Sequence, residues 1–78
     1  MSYAKYYVKS CHSKNIPINK KFVRWITMVE SIVQSKLEMG LLDIPDEDYM
    51  LNYENHLIPI KMANIILSQY VCLGLDLN

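Results

Sequence analysis

Three groups of residues in this chain are of types that could do chemistry. Cys11 adjoins His12, a nucleophile beside a base. Asp43, Asp46, Glu47 and Asp48 form an acidic run of the kind that can hold a divalent cation. Lys5, Lys9, Lys14, Lys20, Lys21 and Arg24 share the first part of the chain with Tyr3, Tyr6 and Tyr7. Such a mixture can hold phosphates while rings stack on bases.

Each group meets an obstacle. Adjacent residues on a helix point about 100° apart, so Cys11 and His12 are not a catalytic pair. A general base also needs a pocket and a partner in reach, and neither His12 nor His56 has one by pattern. A calcium loop of the helix–loop–helix kind needs Gly at its sixth position and Glu at its twelfth. Counted from Asp46, those positions hold Leu51 and Leu57. The two cysteines and two histidines lack metal-ligand spacing. Two glycines make no phosphate loop. The sequence therefore points to a non-enzyme, with no catalytic residue, no cofactor and no metal. The acidic run reads first as helix-start chemistry. Its functional alternative is a patch that imitates nucleic acid and contacts a basic groove in a partner. A pI of 6.7, with no helix-turn-helix, zinc or ribbon signature, leaves nucleic acid as the alternative partner rather than the favoured one.

The elements that would position these residues are helices. Phe22, Trp25, Ile26, Val29, Ile32, Val33 and Leu37 recur at the spacing of one helix face. Val23, Met28 and Met39 widen that arc, while Arg24, Thr27, Glu30, Ser31, Gln34, Ser35 and Glu38 fill the other side. This central helix spans about 19–39, with Asn19 as N-cap and Gly40 just past its end. The rest of the chain is expected to pack on it, with Trp25 in the core beneath the first and last helices. A first helix over about 3–13 is capped by Ser2, and Pro17 ends any continuation. A third, about 44–55, has Asp43 as N-cap, Pro45 in its first turn and the acids at its positive end. Tyr49 and Tyr53 then lie one turn apart. A last helix over about 59–73 opens on Pro59 and stops before Gly74. Met62, Ile65, Ile66, Leu67, Tyr70, Val71 and Leu73 cover most of its circumference, which predicts burial on most sides.

The fold class is thus all-α, a single four-helix domain over 1–78. A chain this short buries only ~60% of its unfolded surface, and 51% of its residues are hydrophobic. Cys11 and Cys72 are no disulfide framework and read as reduced, buried thiols. Self-association is the remaining way to add core, and a homodimer is expected through the last helix. Met62, Ile66 and Tyr70, with Tyr49 and Tyr53, are the candidate contacts. The charge is divided. Residues 1–29 hold six cations and no acid, whereas residues 30–78 hold eight acids and two cations. Such a division can steer a partner, or pair one copy's basic end with another's acidic middle. No stretch approaches ~18 apolar residues, so no membrane span is expected. The start lacks a signal-peptide pattern, and a cytoplasmic protein is expected. Plentiful Ile, Asn, Tyr and Lys match an AT-rich genome such as a virus or phage carries. The expected function is a protein-binding module acting as adaptor or inhibitor.

Overall fold

The computed structural model describes residues 2–45 and 47–71, with Tyr70 and Val71 described by backbone alone. Helix α1 runs Tyr3–Lys14, α2 Lys20–Leu37, α3 Tyr49–Glu54 and α4 Pro59–Val71. A 3-10 turn, Leu41–Asp43, lies between α2 and α3. No strand occurs among the described residues, and the fold is all-α.

Local chemistry explains most helix starts. The Ser2 hydroxyl accepts the Lys5 N–H at 3.3 Å, and Asn19 Oδ1 accepts the Phe22 N–H at 3.0 Å. Each satisfies one amide that a helix start leaves without an intrahelical partner. Pro59 is the first residue of α4, where its missing N–H costs nothing.

The third helix departs from expectation. Pro45 pushes the residue before it out of the α region, and Ile44 is extended at φ −119°, ψ 162°. Asp43 therefore closes the 3-10 turn and caps nothing, and Pro45 is not in a first helical turn. Helix α3 begins only at Tyr49, where Asp48 Oδ1 accepts the Leu51 N–H at 3.4 Å. The end of α2 also differs. Glu38, not Gly40, takes the left-handed conformation, at φ 57°. The expected stop at Gly74 lies outside the described residues.

All other elements pack on α2, and α4 does so most extensively. Phe22, Trp25, Ile26, Val29 and Val33 of α2 meet Leu41, Ile44, Tyr49, Met62, Ala63 and Ile66 in one core. The Tyr3 amide bonds Glu30 while the Tyr7 ring meets Phe22, so α1 runs antiparallel to α2. Tyr49 meets Tyr3 and Tyr53 meets Trp25, so α3 also runs back along α2. Met28, expected in the apolar arc, is exposed.

Aromatic rings fill the centre. Phe22, Trp25 and Tyr53 contact one another, with ring centroids 5.4–5.9 Å apart, and Tyr7 stands edge-on to Phe22 at 4.8 Å. Such pairs add about 0.5–1.5 kcal/mol each beyond burial. Trp25 is buried as expected, and α3 joins in covering it. Tyr53 of α3 packs against it, and its indole N–H donates to the Leu57 carbonyl at 2.7 Å, in the loop before α4.

Glu30, assigned to the polar arc by its type, is buried. Its Oε1 and Oε2 accept the Tyr3 N–H at 3.1 and 3.3 Å, and Oε2 accepts the Leu41 N–H at 2.9 Å. One carboxylate thus holds the first amide of α1 and the first amide of the 3-10 turn against mid-α2. The burial would be costly without these bonds. Gly40 makes room for it, because a Cβ there would stand 3.0 Å from Glu30 Oε2.

Candidate interaction surfaces

Two of the expected contacts on α4, Met62 and Ile66, do not reach the surface. Met62 and Ile66 are 0% and 1% exposed, and Tyr49 is 1% exposed. Met62, Ala63, Ile66 and Leu67 form one stripe that α2 and its neighbours cover. A single copy therefore buries Met62, Ile66 and Tyr49, and the described part of the helix is not wrapped on most sides. The Tyr70 side chain lies outside the described residues. Among the described side chains of that set, only Tyr53 remains partly accessible. What α4 does expose is Ile60 and Ile65, beside Lys61, Asn64, Ser68 and Gln69.

Tyr53 opens onto a groove of about 440 Å³. Trp25 and Tyr53 supply aromatic surface, Leu57, Ile58 and Pro59 an apolar wall, and Lys21, Glu54 and His56 polar groups. Ile58 is 51% exposed there. The groove exists because the loop from Asn55 to Ile58 turns sharply. His56 takes φ 63°, in the left-handed region, and its N–H bonds the Tyr53 carbonyl at 3.0 Å. The Trp25–Leu57 hydrogen bond then fixes that loop against α2.

A second, shallower groove of about 380 Å³ lies between α1 and α2. Ala4, Val8 and Val23 line it with Lys5 and Lys9. The six cations of the basic set, Lys5, Lys9, Lys14, Lys20, Lys21 and Arg24, are all exposed. The structure gathers only Lys5 and Lys9 in this groove, and Lys21 lines the other.

The acidic set is divided among different roles. Asp43 is exposed at the end of the 3-10 turn, and Asp48 is exposed as the cap of α3. Glu47 is partly buried and accepts a hydrogen bond from the Gln69 amide of α4. Asp46 lies outside the described residues. Among the described residues no three His, Cys, Asp or Glu groups converge as a metal site.

Cys11 is a buried free thiol while its neighbour His12 is exposed, so the two side chains lie in different surroundings. Cys72 lies outside the described residues. Tyr7, one turn from Cys11, accepts the Asn19 N–H at 3.1 Å through its hydroxyl. Burial lifts its phenol pKa above the ordinary 10.0. The Asn19 hydrogen bond opposes that rise, and the Cys11 side chain adds to it.

The sequence reading missed the exposed apolar residues Leu51, Ile58, Ile60 and Ile65 and the buried Glu30. Spacing alone could have flagged Glu30, which falls four residues after Ile26 and three before Val33. No helix among the described residues is long and apolar enough to cross a membrane. In comparisons with protein-family models, characterised proteins and solved structures, nothing matches this chain.

Proposed function

We propose that this chain is a small non-enzymatic protein-binding module, an adaptor or inhibitor that takes an apolar segment of a partner in the groove beside Trp25. The observation that carries this reading is the make-up of that groove. It has an aromatic and aliphatic lining with Lys21, Glu54 and His56 beside it. An apolar centre within a polar rim is the usual anatomy of a protein-contact site, and aromatic residues anchor such sites. Ile58, in the wall of the groove, is more than half exposed, and so is Ile60 two residues on. Substituting Ile58→Lys with Ile60→Lys should leave the fold intact, because both side chains are already exposed. Cross-linked capture from the source cell should then lose the partner that wild type retains. A partner held equally by wild type and this variant would rule out the groove.

A second reading, nucleic-acid association through α1 and the start of α2, is supported by six exposed cations there. Its signature would be an affinity that falls steeply as salt rises. Binding through the Trp25 groove should be far less salt-dependent.

A further inference from the structure

We infer that copies of this chain associate through opposite halves, with the outer face of α3 on one copy seated in the α1–α2 groove of another. The groove has an apolar floor of Ala4, Val8 and Val23, with Lys5 and Lys9 beside it. No acid occurs anywhere in residues 1–29, so nothing in that segment offsets the positive field. An occupant must therefore be apolar in the middle and acidic at its edges.

The chain itself carries such a face. Leu51 of α3 is 51% exposed. Asp48 lies three residues before it and Glu54 three residues after, both exposed. Glu54 follows Leu51 by one helical turn, and the Asp48 cap accepts the Leu51 N–H itself, so the leucine has an acid before and after it. Lys5 and Lys9 are four apart, also one turn, on the groove's own helix. A leucine on the apolar floor, with acids beside lysines, matches both polarity and charge.

The contact joins two different patches, so it is heterologous. It closes into a ring where the rotation allows and otherwise grows as an open chain. Opposite fields also speed the encounter and make it sensitive to ionic strength. This inference rests on reading the chain as a protein-binding module. It shares only Glu54 with the Trp25 groove, and the two are tested by different substitutions, so they can fail separately.

The test is sedimentation of complementary variants. One variant carries Lys5→Glu with Lys9→Glu, and the other Leu51→Lys with Glu54→Lys. Asp48 is left alone because it caps α3. Circular dichroism checks that both variants are helical. Wild type should associate at low salt and dissociate as salt rises toward about 0.5 M, where charges are screened within a few ångströms. Each variant alone should bind itself at least about tenfold more weakly, since like charges then face each other. An equimolar mixture should recover association, because one variant keeps the acidic face and the other the groove. Wild type that stays monomeric at high micromolar concentration overturns the inference, as does a mixture that fails to associate. Variants that self-associate like wild type overturn it too. So does a groove that takes a nucleic-acid oligonucleotide through Lys5 and Lys9 with no self-association. A monomeric wild type that still captures a partner through Ile58 and Ile60 removes this inference and leaves the proposed function standing.

Discussion

Glu30 and Tyr7 are the two side chains whose surroundings give the sharpest expectations. Glu30→Gln keeps the shape but leaves an amide NH2 where one of the carboxylate oxygens accepted a backbone N–H. A loss of about 1–3 kcal/mol is expected, measured by urea unfolding. A change below a few tenths would mean that water replaces these bonds freely. Tyr7 sets an alkaline limit. Burial raises its folded pKa above the ordinary 10.0, so the neutral phenol is favoured more in the folded than in the unfolded chain. The associated stability is complete below about pH 10 and is lost as pH rises through the raised folded value. Stability measured against pH should therefore fall above that point in wild type. In Tyr7→Phe the fall should be shallower, from a lower starting value because the Asn19 N–H loses its acceptor. An identical alkaline slope in both proteins would place the titration elsewhere.

Helix ends carry the next expectation. Asn15, Glu38 and His56 follow α1, α2 and α3 in left-handed backbone, at φ 57°, 57° and 63°. Asparagine tolerates that region better than most residues. Glutamate has no such tolerance, and a side chain there costs about 1–2 kcal/mol. Glu38→Gly relieves this while adding unfolded-state entropy, for a net gain of about 0.5–1 kcal/mol. In a domain this size that corresponds to a melting temperature higher by a few degrees. A lower melting temperature would show that the Glu38 side chain has a role its backbone angle does not reveal. Local chemistry of this kind is legible in the sequence itself. Ser2, Asn19 and Pro59 start their helices by rules that need only neighbouring residues. Gly40 departs from its rule for an instructive reason: its lack of a side chain serves the Glu30 carboxylate rather than a left-handed turn. Pro45 carries its own warning, since its effect on Ile44 rules out a helix that begins at Ile44 with Asp43 as its cap.

At the scale of the whole molecule, the pattern can say that α4 is apolar but not which side faces inward. Ile65 and Ile66 are adjacent and chemically identical, yet one is 43% exposed and the other 1%. Only packing against α2 distinguishes them. The distinction has a direct test. Ile66→Glu buries a charge with no partner, at a cost above about 4 kcal/mol, and should abolish cooperative unfolding. Ile65→Glu should change stability by no more than about 0.5 kcal/mol. Similar effects from the two would mean that the face of α4 is rotated. The candidate surfaces are hidden from the sequence for the same reason. The Trp25 groove depends on a tertiary hydrogen bond from an indole to the Leu57 carbonyl, and the Lys5 groove on the approach of α1 to Val23.

The carboxylate of Glu30 also has a kinetic consequence. The amide of Tyr3 lies in the first turn of α1, where no intrahelical carbonyl holds the proton and exchange with solvent is normally fast. The amide of Leu41 sits 38 residues further on, yet both protons are held by the same side chain. Release of Glu30 frees both, so deuterium should enter the two positions with similar protection and from one shared opening event. In Glu30→Ala, which leaves no acceptor, both should become fast together, while the amide of Phe22, held by Asn19, keeps its own rate. The N-terminal turn of α1 and the turn after α2 would then form one cooperative unit, coupled through a carboxylate rather than through continuous chain.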